Sequence, residues 1–277
     1  MAAISVNGAE LFALEEGRGE PLVLVHGSLA DYRTWLAQVR EFSRRHLVIA
    51  YSRRYHFPFA QAPEGSVYSV SVQAEDLAEV IRTRAGGRAH VVTSSYGGCV
   101  ALCVALAHPP LIRSLVLCEP PLMNWLGKST EGSALFPVVE AAQRASETAF
   151  RAGNPEEGVR LFSDMAIGPG VFASLPPRSR ARMMDNAFEL SLEMSAPENL
   201  FFPQFTCEEL QGSDVPVLML NGDRSPELYG PITTELRRCL RRAERRTIAN
   251  AAHVIHGMNP ADFSAAVTEF ITHVEGS

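Results

Sequence analysis

Val91-Val-Thr-Ser-Ser95-Tyr-Gly-Gly98 is the stretch that decides the fold. It opens inside the β-rich run Ala89-His-Val-Val-Thr93, which reads as a strand. It leads into an apolar stretch, Gly97 to His108, which reads as a helix. The residues two positions to either side of Ser95, Thr93 and Gly97, are small, as a sharp strand-to-helix turn requires. Pro109-Pro110 ends the helix, because proline lacks the N–H donor and its ring clashes with the preceding turn. The run Ser114-Leu-Val-Leu-Cys118 that follows reads as the next strand.

The same alternation extends upstream. Ala3-Ile-Ser-Val6 and Ala9 to Leu14 flank Asn7-Gly8, a pair suited to a tight hairpin turn. Pro21-Leu-Val-Leu-Val25 and His46-Leu-Val-Ile-Ala50 are strands, with a helical stretch from Tyr32 to Phe42 between them. Val70 to Arg84 is a helix whose apolar stripe is Val72, Leu77, Val80 and Ile81. Alternation stops near Pro120 and resumes at Val215-Pro-Val-Leu-Met-Leu220. A helix to about Arg242, a short strand Arg245 to Ala249 and a last helix from Pro260 complete the chain. This pattern predicts an α/β fold: a doubly wound, mostly parallel sheet with a helical cap inserted after the sixth strand. The core is then 1–119 and 215–277, and the cap 120–214.

The chain has 277 residues, 46% hydrophobic and 20% charged, with a formal net charge of −6. That balance argues against a nucleic-acid surface, which needs a basic footprint. The local exception is the run Arg237, Arg238, Arg241, Arg242, Arg245 and Arg246, which reads as the solvated face of a helix. Five cysteines, with no Cys-x-x-Cys pair, indicate neither a disulfide framework nor a zinc knuckle. Free thiols at Cys99, Cys103 and Cys118 in apolar segments favour a reducing compartment. The longest apolar run is about half of what a bilayer span needs, and the first residues lack the features of a signal peptide. The expectation is a cytoplasmic protein with no membrane or nucleic-acid partner, no metal and no cofactor.

At the turn itself, Ser95 is the serine with a glycine two residues downstream, Gly97, and Gly98 follows. A serine on such a turn projects its hydroxyl where a strained backbone and a helix N-terminus meet. Ser94 is the weaker candidate. Thr93 occupies the position two before Ser95, where a glycine is the usual choice, and adds a branched side chain at a crowded place. His26-Gly27-Ser28 follows directly on the strand Leu22 to Val25, and Ala252-His253 lies just beyond the last strand, ahead of Asn259-Pro260.

On these signatures the chain resembles the α/β-hydrolase superfamily from its first hairpin to its last helix. The resemblance implies Ser95 as nucleophile and His253 as general base, with His256 the neighbouring alternative. It implies the backbone N–H groups of Ser28 and Tyr96 as an oxyanion hole. The third member of the triad is less direct. The turn after the seventh strand reads Asn221-Gly-Asp223-Arg-Ser225, with serine where the superfamily commonly has aspartate. Glu119, at the end of the sixth strand, resembles the acid placement of zearalenone-type lactone hydrolases and certain haloalkane dehalogenases. Glu119 is favoured as the acid and Asp223 is the alternative.

Two further groups stand out. Arg53 and Arg54, after the fourth strand, suit either a substrate carboxylate or structural bonding in their loop. Met123, Trp125, Phe162, Met165, Met183, Met184, Phe188, Met194, Phe201 and Phe202 supply either an apolar pocket or the packing of cap on core. The expected activity is cleavage of a carboxylic ester or lactone through an acyl-enzyme, on a small molecule with an apolar portion. The alternative is a non-hydrolytic enzyme of the same fold (an oxygenase, lyase or cyclase) with His253 as base. A homodimer is left open.

Overall fold

The computed structural model describes residues 2–63, 66 and 68–276. Eight strands form one sheet: β1 (Ala2–Val6), β2 (Ala9–Glu16), β3 (Pro21–Val25), β4 (Leu47–Ser52), β5 (Ala89–Ser94), β6 (Ile112–Cys118), β7 (Val217–Gly222) and β8 (Ala243–Ile248). Their spatial order is β1-β2-β4-β3-β5-β6-β7-β8. β1–β2 and β2–β4 pair antiparallel, and every pair from β4 to β8 is parallel. The doubly wound, mostly parallel α/β architecture is therefore the one expected.

The central strands are mostly apolar because both sheet faces are covered, and their buried polar side chains are paired, as His90 is with Ser114 (2.7 Å) and Thr93 with Val116 O (2.8 Å). Side chains alternate between two cores at the period of two that a strand imposes. Val23, Val25, Val91, Leu115, Leu117, Val217 and Met219 face one core. Leu22, Leu24, Val92, Val116, Cys118, Leu218 and Leu220 face the other. The first side is covered by α2 (Val70–Arg84) and α3 (Tyr96–Ala107), and the second by α1 (Leu36–Phe42), which follows a 3₁₀ turn over Tyr32–Trp35.

Residues 120–214, read from sequence as a helical insertion, contain no strand. A 3₁₀ turn at Met123–Lys128 leads to α4 (Thr130–Arg151), α5 (Pro155–Ala166), α6 (Val171–Ser174), α7 (Pro177–Met184), α8 (Ala187–Ser195), α9 (Glu198–Phe201) and α10 (Cys207–Gln211). After β7 come α11 (Tyr229–Cys239), then β8, α12 (Ile255–Met258) and α13 (Pro260–Glu275), which joins α1 over the second core. Among the described residues no helix is long and apolar enough to cross a membrane.

Two sequence expectations change. α11 ends at Cys239 and Leu240 is already extended (φ −92°, ψ 120°), so that the chain can enter β8 beside β7. Only Arg237 and Arg238 of the arginine run are helical, and Arg245 and Arg246 lie on the edge strand. The cysteine reading is also corrected: Cys207 and Cys239 form a disulfide across 32 residues of sequence, with Cα atoms 5.0 Å apart. An odd count does not forbid a single bridge, and the packing of α10 on α11 supplies the proximity that sequence spacing hides. The bridge weakens the cysteine argument for a reducing compartment. Closing a loop of this length predicts that Cys207→Ser/Cys239→Ser loses about 3–4 kcal/mol of stability. Urea unfolding of the oxidised wild type against the double variant checks this, and coincident transitions would contradict it.

Candidate active site

The turn from β5 into α3 is strained. Ser95 has φ 50° and ψ −125°, a conformation that side-chain-bearing residues rarely adopt. It is held by its N–H donating to Cys118 O (2.8 Å) and its carbonyl accepting from Gly98 N–H (2.8 Å). Gly97 has no room for a side chain, since a Cβ there would lie 2.4 Å from Val25 O, so α3 starts hard against the end of β3. Thr93 is fully buried and donates its hydroxyl to Val116 O (2.8 Å), which turns the branched side chain toward β6. The position thus accepts threonine with the strained turn intact.

Glu119 leaves β6 with an equally unusual φ of 48°. Its buried carboxylate receives His253 at Nδ1 (2.8 Å to Oε2), the Gly222 N–H (3.0 Å to Oε1) and, at longer range, Asn221 Nδ2 (3.4 Å). With Nδ1 committed as donor, the Nε2 lone pair of His253 is the free basic site of the ring. Tyr229, the first residue of α11, stacks on the imidazole with centroids 4.2 Å apart and planes 7° from parallel. Its Oη lies 3.1 Å from Nε2 and donates to Ala166 O (2.9 Å). Because the rings are nearly parallel, this oxygen sits over the imidazole face, outside the plane in which the Nε2 lone pair points.

Ser95 and His253 line one cavity of about 590 Å³. Gly27 and Ser28 form part of its floor, and a Cβ on Gly27 would fall 2.7 Å from Ser95 Cβ. Phe162, Ile167, Val171, Leu175 and Met183, contributed by residues between β6 and β7, make an apolar wall. Of the apolar residues singled out in the sequence, Phe162 and Met183 therefore line the cavity. Met123, Trp125, Met194, Phe201 and Phe202 are buried in the core, and Phe188 is exposed. A larger groove between α1 and α13, about 770 Å³, is lined by Glu41, Arg44, Arg45 and Glu269 and lies far from the serine turn.

Of the alternatives, His256 and Ser94 also line this cavity and Asp223 does not, and each is engaged differently. Asp223 is exposed and accepts the Ala251 N–H (3.1 Å), and such backbone bonds hold its carboxyl below the usual range. His256 is buried against Trp35, with Nε2 2.8 Å from Thr34 Oγ1, and burial pushes it down to about 3. Ser94 remains on the strand.

Arg54 pairs with Asp76 (2.7 Å). Arg53 is fully buried and donates to Tyr68 Oη (2.8 Å) and His26 O (3.1 Å), with Glu189 and Glu193 of α8 at 3.4 and 3.3 Å. Both arginines are thus engaged within the protein. The sequence reading missed Glu189, Glu193, Tyr68 and Tyr229. The available signal was Glu189 and Glu193 four apart amid Phe188, Leu190, Leu192 and Met194, because like charges at that spacing repel on an open helix face.

A model of the alpha/beta hydrolase family matches residues 22–266, most of the chain. The chain belongs to the alpha/beta hydrolase family. Among curated relatives, 2-(acetamidomethylene)succinate hydrolase of Mesorhizobium japonicum is 24% identical over 97% of this chain and 94% of its own length. 2-hydroxy-6-oxo-2,4-heptadienoate hydrolase of Pseudomonas putida is 33% identical over a shorter stretch, 41% of this chain and 42% of that protein. Among solved structures, the enol-lactonase from Burkholderia xenovorans LB400 superposes with a TM-score of 0.75 at 18% identity, covering 98% of this chain and all of that one. A thermophilic esterase from Thermogutta terrifontis gives 0.76 at 21% identity, covering 99% and 98%. These likenesses carry the fold.

Removing the Tyr229 hydroxyl leaves the buried Ala166 carbonyl without its donor. Tyr229→Phe is expected to lose about 1–3 kcal/mol of stability by chemical denaturation, and an unchanged midpoint would contradict the assigned bond.

Proposed function

We propose that this alpha/beta hydrolase is a serine hydrolase that cleaves a carboxylic ester or lactone through an acyl-enzyme. The observation that carries the reading is the 2.8 Å bond between Glu119 and His253, at the cavity that Ser95 lines from its strained turn. In this reading His253 Nε2 takes the Ser95 proton as Ser95 attacks the substrate carbonyl. Glu119 fixes the tautomer and stabilises the imidazolium that forms. His253 then protonates the leaving oxygen, and water activated by the same imidazole releases the acid.

The tetrahedral oxygen would be held by the Ser28 and Tyr96 N–H groups. Support comes from His26, whose Nε2 accepts the Arg53 N–H (2.8 Å), so that Nδ1 carries the proton and donates to Gly27 O (2.8 Å). In a trans peptide the carbonyl and the next N–H point in opposite directions. A Gly27 carbonyl turned to the His26 ring therefore aims the Ser28 N–H away from it, on the side of the peptide left open for substrate. The apolar wall suits a substrate with an apolar portion in its acyl or alcohol part.

Esters, lactones and C–C cleavage substrates should be assayed against wild type and variants. Ser95→Ala is expected to lose at least about 10³-fold in kcat and all labelling by a fluorophosphonate. Glu119→Gln is expected to lower kcat by about 10²–10⁴-fold, and Asp223→Asn by less than about threefold. Labelling that persists in Ser95→Ala would contradict the proposal. So would turnover confined to C–C substrates, and a reversed ranking of the two acids would move the triad to the seventh-strand turn.

A further inference from the structure

The guanidinium of Arg53 is 0% exposed, as are the carboxylates of Glu189 and Glu193. Three ionisable side chains so deeply buried are costly unless their charges balance. The balance can be read from the hydrogen bonds. His56 Nδ1 faces the carbonyls of Arg53 and Arg54 (3.2 and 3.1 Å), so its proton sits there and Nε2 accepts from the Arg53 guanidinium (3.3 Å). Burial and the neighbouring Arg53 keep this imidazole neutral, pushed down to about 3. Glu189 Oε2 lies 3.0 Å from that Nε2 without a hydrogen bond to it, and Glu189 Oε2 and Glu193 Oε2 are both buried with no donor, an arrangement that one proton held between the carboxyls relieves. Two carboxylates sharing one site cannot both ionise readily. Together with one guanidinium, the glutamates are neutral as a unit when they hold one proton between them.

This unit lies directly behind the proposed oxyanion hole. Arg53 grips His26 twice, through its own N–H to Nε2 and its side chain to the backbone carbonyl, and His26 in turn holds the Gly27–Ser28 peptide. The guanidinium also lies 5.2 Å from the ring centroid of Tyr96, whose N–H is the second donor. The Ser28 hydroxyl and the Tyr68 hydroxyl face Glu193. The other titratable groups turned toward the pair are His56 from the loop after β4 and Tyr96 and Cys99 from α3, with Asp31 acting on His26 and His56.

Resting on the serine-hydrolase reading above, we propose that Arg53, Glu189 and Glu193 form the positioning unit of the oxyanion hole, competent only while the two glutamates share one proton. Arg53 places positive charge beside His26, which holds the Gly27–Ser28 peptide, and beside the Tyr96 ring, in a region shielded from water, where charge acts over distance far more than it does in solvent. Loss of the shared proton adds one uncompensated negative charge behind an oxyanion that is itself forming. Desolvation, with Glu189 next, raises Glu193 to about 8, so the loss falls within an accessible pH range.

The test is kcat against pH for wild type, Glu193→Gln and Glu189→Gln on a neutral ester, with circular dichroism at each pH to verify folding. Wild-type kcat is expected to fall by about tenfold between pH 7.5 and 9.5 with little change in KM. In either glutamine variant the ratio of kcat at the two pH values should approach one, whatever the turnover at pH 7.5. A merely structural role would leave that ratio at its wild-type value, which overturns the proposal. A flat wild-type profile overturns it too, even if neither variant folds. Fluorophosphonate labelling of Ser95 separates the two readings. Intact labelling with a flat profile removes this inference alone, and absent labelling removes the hydrolase reading and this inference with it.

Discussion

The carboxylate of Glu119 ties together three loops at one end of the sheet. It leaves β6, accepts the Gly222 N–H at the end of β7, and holds the His253 imidazole beyond β8. A buried carboxylate without partners would cost several kcal/mol, so these donors are what allow an acid to sit at the strand end. The site depends on this satisfaction. Gly222 is pressed against the loop that carries His253, since a Cβ there would meet Ala251 O at 2.3 Å. The imidazole is thus fixed on one side by Glu119 and on a face by Tyr229. The backbone strain at Ser95 and Glu119, both at positive φ, is concentrated at this end of a sheet whose central strands are mostly apolar.

A second set of buried charges joins the helices between β6 and β7 to the sheet. Arg53, in the loop after β4, meets Glu189 and Glu193 from α8, and with Asn186 bonded to Asp31 and Asp185 paired with Arg33 the segment is registered on the core by directional bonds. Apolar contact tolerates sliding, whereas a buried ion cluster does not, because a misplaced charge loses its partners. The disulfide between Cys207 and Cys239 adds a covalent tie where the same segment returns to α11. The cavity wall offered by Phe162 and Met183 is thereby held over Ser95 by contacts of three kinds.

The sheet was legible in sequence because central strands of a parallel sheet are buried on both faces and leave unbroken apolar runs. The Ser95 turn was legible because its geometry restricts residue types over a few neighbouring positions. Glu119 could be weighed against Asp223 because each falls at a predicted strand end. What escaped is set by distance along the chain. Tyr229 meets His253 across 24 residues and Glu193 meets Arg53 across 140. No local pattern encodes such a meeting. The Cys207–Cys239 bridge was missed for the same reason, and the early end of α11 because pairing with β7 overrides helical propensity in an arginine-rich stretch.

The proposed acylation of Ser95 is checked by acid-quenched mass spectrometry during turnover of an activated ester. The acyl mass is expected on the peptide carrying Ser95. Steady turnover with no acyl adduct on that peptide, or an adduct on any other residue, would contradict it.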